Sequence, residues 1–476
     1  MFRDRHFFRS GRFHSFGSEG FALLDVALVA LSETTAQVRW TMSAVCSGQV
    51  EYGLTDSYGS TTTEAPITDG TPQHLQLITG LTAGTTYHYR TKSTNATGST
   101  IYSDDQSFTT DADTGITYTD YTVTVGITTI SGLQAYLATV PDGADTTHHS
   151  RVLLGAGRTY TGSSGLNVSG RSHLTFEGGG AEVAWGNTGG ATIATTGVAS
   201  STSSMAIRDP EGQTPADDLV FHAINILGTS TVYATTNAGT GTAEYQAAFG
   251  LYGSSNIVID RCMADKVQGD FVYLTSLNGS SGGTWCSNIT ISDSTCSNNG
   301  RMGVAIIAAD TVLIDTCRFT DICYAPFDFE PNAATQGMAD VEMRDCLIDG
   351  QYFSWDNSYD DGCFVTANAS LTGVTITGYL RFIDNTVTAS MYPYQSSDSW
   401  DGHFRLRYPA SVVKTATLTI TGNTCTAPKQ SVAVITQGWV NGGTITNNTG
   451  FLSSGTNADF WDTAGGDGSF TVTGNS

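Results

Sequence analysis

The sequence predicts an all-β protein in two parts, a small sandwich followed by a long coil of stacked strands, and three observations carry that reading. Only 14% of the 476 residues are charged while 54 are glycine, so the Lys-, Glu- and Leu-rich segments that build helices are scarce. Between about Leu24 and Thr110, short alternating segments are punctuated by polar turns, the pattern of a sandwich. Beyond that stretch an apolar-x-apolar step recurs to the C-terminus with a small residue at a fixed offset, the mark of a repeat that stacks on itself.

Composition also bounds the function. With 39% apolar and 10% aromatic residues the chain can bury large cores in two or more domains. A formal charge of −23 argues against a general nucleic-acid binder, because phosphate contacts need basic surface. Neutral and cationic ligands remain open. The nine cysteines form no CxxC pair and have no neighbouring histidine pair, so neither zinc nor another cofactor is expected. An odd, scattered set is also a poor disulfide framework, and buried packing thiols are the better expectation. The opening "MFRDRHFFRSGRFHSFGSEG" carries Arg and His where a secretory signal needs an apolar centre, and none is recognised. The next apolar run, "FALLDVALVALS", is interrupted by Asp25 and is too short to span a membrane.

The sandwich is read from "AQVRWTM", "SGQVEYG", "HLQLITGL", "TTYHYRTKS" and "DQSFTT". Trp40 on an early strand, with Leu81, Tyr87 and Tyr89 in "LTAGTTYHYR", resembles a fibronectin type III domain over about 90 residues. Within that family "CSGQVEYGLTDSYGS" is most similar to the small domain preceding purple acid phosphatases. Their metal-binding catalytic domain does not follow, so the resemblance implies no phosphatase activity. The expected layout is a peptide over 1–20, the fibronectin-like domain over 21–111 with "DADTG" as linker, and the coil over 112–476.

In the coil the second apolar position of the repeat falls at Leu154, Phe176, Phe221, Ile259, Ile291, Ile314, Met343, Phe382, Ile420, Ile445 and Val472, at intervals of 22 to 45 residues. Three positions later stand Cys262, Ser294, Cys317, Cys346, Asn385, Asn423, Asn448 and Asn475. Small polar or thiol side chains recurring at one corner can stack from rung to rung, with the amides hydrogen-bonding along the stack. Unrelated strands of a large sandwich would not hold that register. The pattern resembles a right-handed parallel β-helix of the pectate-lyase-like superfamily, from about residue 115 onward. "ISGLQAYLATVPDG" is similar to the amphipathic helix that caps such coils, and "RVLLGAGRTYTG" to their opening strand and turn. A first rung without a cap would expose unpaired backbone groups. "SFTVTGNS" shows no matching C-terminal cap, which implies that loops or a partner cover the last rung.

A second strand column runs through "GDFVYLTS", "RMGVAIIA", "APFDFEPN", "DGCFVTAN", "GHFRLRYP" and "QSVAVITQ". Aligning the inward pairs Val272/Leu274, Val304/Ile306, Phe327/Phe329, Phe404/Leu406 and Val432/Val434 turns Tyr273, Asp328, Glu330, Arg405 and Arg407 to one solvent face. On a strand Asp328 and Glu330 lie roughly 7 Å apart, and the arginine rung is about 10 Å further along the coil. Loops between these rungs add Asp270, Arg301, Trp355, Asp360, Asp361, Trp400 and His403. Aromatic rings stack on sugar faces and carboxylates accept hydroxyl hydrogen bonds, so a polysaccharide or cell-surface glycan is the expected ligand. Asp328, Glu330 and Asp361 are the candidate catalytic acids; Tyr273, Trp355, Asp360, Trp400, His403, Arg405 and Arg407 are the candidate ligand contacts. A glycoside hydrolase needs two carboxyls about 5 Å or 6.5–9.5 Å apart. A lyase needs a base and a cation, and the calcium motif of the superfamily's lyases is not recognisable, which favours the hydrolase of the two. A plain solvated strand face remains the third option.

Three functions fit. The first is a bacteriophage virion appendage, tailspike-like or a decoration protein, that engages glycans on the virion surface; self-association into a homo-oligomer is compatible with it. Residues 1–20 alternate Arg3, Arg5, Arg9 and Arg12 with Phe2, Phe7, Phe8 and Phe13, suiting an anchor on other virion subunits. The second is an extracellular polysaccharide-degrading enzyme, and the third a purely structural surface protein.

Overall fold

The computed structural model describes residues 21–31, 35–67, 73–110, 115–183, 185–196, 205–229, 246–322, 325–349, 351–352, 365–367, 374–388, 390–391, 402–406, 413–425, 432–436, 442–450, 460–462 and 470–475. The chain divides into two compact units, Met1–Ile116 with Glu182–Ala184, and Thr117–Ala181 with Trp185–Ser476.

In the first unit an antiparallel sheet joins Leu23–Leu31, Thr35–Met42 and Gln73–Thr79. A second antiparallel sheet runs Ser60–Thr61, Cys46–Gly53, Thr86–Asn95, Thr100–Tyr102, with Gln106–Thr109 also paired to Thr86–Asn95. Alternation fixes which side is core: along Thr86–Asn95, Tyr87, Tyr89, Thr91 and Ser93 are buried while the residues between them are not. They close on Trp40, Val38, Val50 and Phe108. Polar atoms taken inside are paired, as burial requires. The Trp40 indole N–H donates to Ser93 Oγ at 2.8 Å, and Tyr87 Oη accepts from the Thr82 N–H at 3.1 Å.

The second unit is a parallel β-helix whose described strands form, besides two-stranded pairs, three long parallel sheets with one core between them: the first from Thr117–Thr122 to Phe470–Thr473, the second from Thr159–Gly162 to Thr424–Cys425 and the third from Leu166–Asn167 to Phe460–Asp462. The helix Ile130–Leu137 stands at its N-terminal end. Thr129 Oγ1 accepts from the Gly132 N–H at 3.1 Å as N-cap, and the spacing of Ile130, Leu133 and Leu137 puts all three on the face buried against the first rungs. Among the described residues no helix is long and apolar enough to cross a membrane.

On the first sheet Phe176, Phe221, Ile259, Ile291, Ile314, Met343, Phe382, Ile420, Ile445 and Val472 form one inward line, as the repeat predicts. One position differs: Val152, not Leu154, pairs with Phe176. Val152, Leu153 and Leu154 are consecutive apolar residues, so alternation alone admits a two-residue slip.

The corner after this sheet is built from two adjacent columns. Ala223, Arg261, Asp293, Thr316, Asp345, Asp384, Gly422, Asn447 and Gly474 all take left-handed backbone, with φ between 46° and 71°. Asn, Asp and Gly tolerate that conformation best, and it swings the chain from the first sheet into the second. The following residues are Ile224, Cys262, Ser294, Cys317, Cys346, Asn385, Asn423 and Asn448, all buried, and the half-buried Asn475. The backbone N–H of Cys346 donates to Asn385 Oδ1 at 3.0 Å, and those of Asn385, Asn423 and Asn448 each donate to the next amide oxygen at 2.9–3.0 Å. The seven described cysteines are free thiols.

Candidate functional site

The third sheet runs through Val272–Thr275, Val304–Ile306, Phe327–Phe329, Val365–Ala367, Gly402–Leu406 and Val432–Thr436. Val272, Val304, Phe327, Val365 and Phe404 are successive register partners. Phe404 then pairs with Val434, and Val432 with Gly402, a two-residue correction to the expected alignment. The alternation in "SVAVIT" accepts either register, and the length of the preceding loop decides.

Alternation turns Tyr273, Ala305 and Asp328 to the outer side of this sheet, each the register partner of the next. The expectation that Asp328 faces solvent is wrong, since it is only 2% exposed. Its partner Ala305 is equally covered and packs with Met302, Ala325 and the half-buried Tyr273. Arg301 stands just ahead of the preceding strand of the sheet, Val304–Ile306. Its guanidinium reaches Asp270 Oδ2 at 3.1 Å and Glu330 Oε2 at 3.4 Å. Glu330 stands just past Phe327–Phe329, so the ion pair joins two successive rungs.

The clamp therefore takes one residue from each of three successive rungs. Asp270 is fully buried, and its second oxygen accepts from the Met302 N–H at 3.1 Å, so its charge is met by a guanidinium and a backbone donor. Glu330 is the solvent-facing member, its side chain 35% exposed, with Arg301 at 20%. Glu330 thus offers a carboxylate to solvent beside a guanidinium, a surface able to hydrogen-bond vicinal hydroxyls. Of the other expected contacts, His403 and Arg405 lie on Gly402–Leu406, and Thr366 between Asp328 and Arg405 makes the latter two rungs removed from Asp328; their side chains are outside the described residues. Trp355, Asp360, Asp361, Trp400 and Arg407 also lie outside the described residues.

A second polar cluster, on the first sheet, was not anticipated. His149, His173 and Asp218 come from three successive rungs: His149 precedes the Ser150–Leu174 pair, and His173 and Asp218 fall between the pairs Ser172–Asp217 and Leu174–Leu219. Asp218 Oδ2 is 3.0 Å from His149 Nε2 and 2.7 Å from His173 Nδ1. Burial opposes the charge on Asp218, but hydrogen bonds from both imidazoles outweigh it and hold its pKa below the usual carboxylate value. No local spacing in the sequence announces the cluster, because each member belongs to a different turn of the coil. His173 and Asp218 also take left-handed backbone, with φ of 51° and 53°, which breaks the alternation that a strand reading relies on.

With the geometry in hand, comparison with known proteins bears on the coil. Residues 222–398 match the family model for a right-handed β-helix region. No curated protein matches the sequence. Among solved structures, a family 28 exopolygalacturonase of Yersinia enterocolitica is 12% identical over 95% of this chain and 86% of its own, with a TM-score of 0.34. An endo-xylogalacturonan hydrolase from Aspergillus tubingensis is 12% identical over 74% of this chain and 100% of its own, at 0.36. A tailspike protein of an E. coli bacteriophage, solved with a pentasaccharide, is 12% identical over 72% of this chain and 61% of its own, at 0.34. At such identity no residue role passes from one chain to another. The second unit is a right-handed parallel β-helix.

Proposed function

We propose that this protein is a glycan-engaging appendage of a bacteriophage particle, binding polysaccharide on the outer side of the third sheet. The observation that carries the reading is the Asp270–Arg301–Glu330 clamp, on a sheet where the half-buried Tyr273 packs against the Met302, Ala305 and Ala325 cluster. It fixes a charged, hydrogen-bonding edge across three rungs, at low entropic cost because the guanidinium is already tied on both sides. Arg405 follows in the same strand column, on Gly402–Leu406.

Binding is favoured over hydrolysis. Inverting and retaining hydrolases need two carboxyls that both reach the scissile bond, and Asp328 is withdrawn from solvent while Glu330 is engaged by Arg301. Residues 1–20, alternating arginine and phenylalanine, supply the anchor to the particle, and the antiparallel sandwich, which resembles a fibronectin type III domain, supplies a spacer. The test exposes the full chain to a panel of capsule and cell-wall polysaccharides and follows both retention and reducing-sugar release. Retention without release supports the reading; release abolished by Glu330→Gln identifies a hydrolase instead; no retention on any glycan removes the proposal. In parallel, a chain lacking residues 1–20 stays folded but no longer enters particles if the anchor is correctly assigned, and undiminished incorporation removes that assignment.

A further inference from the structure

The histidine pair on the first sheet has no part in the glycan reading, and its geometry asks for a ligand of its own. His149 Nε2, His173 Nδ1 and Asp218 Oδ2 lie within 4.8 Å of one another, all three converging from consecutive rungs. We propose that His149, His173 and Asp218 form a binding site for a zinc-class divalent metal ion that ties together the first rungs of the coil.

Four features support the assignment. Two imidazoles and one carboxylate are a donor set suited to zinc, cobalt or nickel, and too poor in oxygen for calcium or magnesium. The donor atoms are 2.7 and 3.0 Å apart along the two contacts to Asp218, so small outward shifts would bring each to the 2.0–2.2 Å that zinc takes from nitrogen and oxygen. His149 has a supporting partner on its other ring nitrogen, Thr175 Oγ1 at 3.1 Å. On binding metal, the His149 proton would move from Nε2 to Nδ1 and be donated to that hydroxyl, freeing the Nε2 lone pair for the ion, which is how metal-bound imidazoles are oriented. Finally, the site is covered on one side and reached by solvent on the other: the His149 side chain is fully buried, while those of His173 and Asp218 are 22% and 18% exposed.

The neighbouring charges are committed elsewhere. Arg151 is bound through two nitrogens to Asp120, at 2.8 and 3.0 Å. Asp217 Oδ1 accepts from Ser255 and Asn256. His222 is engaged by Glu177 at 2.9 Å. In the metal-free chain Asp218 is hydrogen-bonded by both imidazoles; metal would replace the two N–H protons at that junction with one cation shared by all three. Because the ligands come from three rungs beside the capping helix, occupancy would link pieces that otherwise separate when the end of the coil frays.

The test uses the full chain, stripped with chelator and titrated with Zn²⁺ or Co²⁺ alone. The proposal predicts saturable binding of a single equivalent, a Co²⁺ spectrum of nitrogen-and-oxygen coordination, and a rise in thermal midpoint with Zn²⁺. His173→Ala and Asp218→Asn should each abolish all three effects. His148→Ala should retain them, since that side chain is 59% exposed and pairs with Asp145. If a variant fails to fold, the imidazole ¹⁵N resonances of the wild-type protein decide: Zn²⁺-dependent shifts confined to His149 and His173 support the site. Absence of binding in the wild type, or binding unchanged in both variants, overturns it.

Discussion

Asn423 donates to Asn448 Oδ1 twice, through its backbone N–H and through its Nδ2, each at 2.9 Å. Its Nδ2 also reaches the Phe382 carbonyl at 3.0 Å, and its own oxygen accepts the same pair of donors from Asn385. One amide thus satisfies buried groups on three rungs. Asn423→Leu removes these partners without removing the groups they serve, and should cost about 1–3 kcal/mol of stability. Asn475→Leu, half-buried at the last described rung, should cost less. Denaturant unfolding of both variants checks the order.

Asp345 gives a pH dependence of opposite sign to ordinary acid denaturation. Burial, with Asp315 and Asp384 close by, pushes its carboxyl from 3.8 up to about 7. The folded chain therefore holds a proton between about pH 4 and 7 that the unfolded chain has released, so this group's contribution is full below pH 4 and is lost as pH rises through 7. Asp345→Asn keeps a residue tolerant of the left-handed backbone at φ 53° and should stabilise the coil at pH 8 by about 1 kcal/mol, with no gain at pH 4. Thermal midpoints at the two pH values measure the difference.

The described thiols should be inert in the native protein. Burial drives the Cys262 thiol far up and that of Cys286 to about 12, and Cys296 and Cys346 are raised as well, so thiolate is scarce and access closed. Iodoacetamide followed by peptide mapping should leave Cys46, Cys262, Cys286, Cys296, Cys317, Cys346 and Cys425 unmodified until denaturant is added.

What was legible in the sequence was what repeats. The corner column could be read because one side chain per rung is enough to mark it, and the asparagines recur at the same offset from the same apolar step. Val152 and Val434 were misplaced by two residues because runs of apolar residues carry no mark of where the loop before them ends. Asp328 was read as exposed because alternation fixes the side of a strand a residue faces but says nothing of what lies across it. The ion pair that Arg301, on the previous rung, makes with Glu330 likewise has no local signature. The His149–His173–Asp218 cluster was hidden for the same reason, with left-handed backbone adding to the disguise.

The central claim, that glycan is bound at the clamp on the third sheet, is tested most directly by a binding isotherm for a retained polysaccharide against wild type, Glu330→Gln and Tyr273→Ala, with unfolding midpoints measured alongside. Loss of the Glu330 charge next to Arg301, or of the Tyr273 ring, should each weaken binding by about tenfold or more, equivalent to about 1.4 kcal/mol, while Glu330→Gln leaves the midpoint nearly unchanged. Isotherms that superimpose for all three proteins would contradict the account and move the binding surface elsewhere on the molecule.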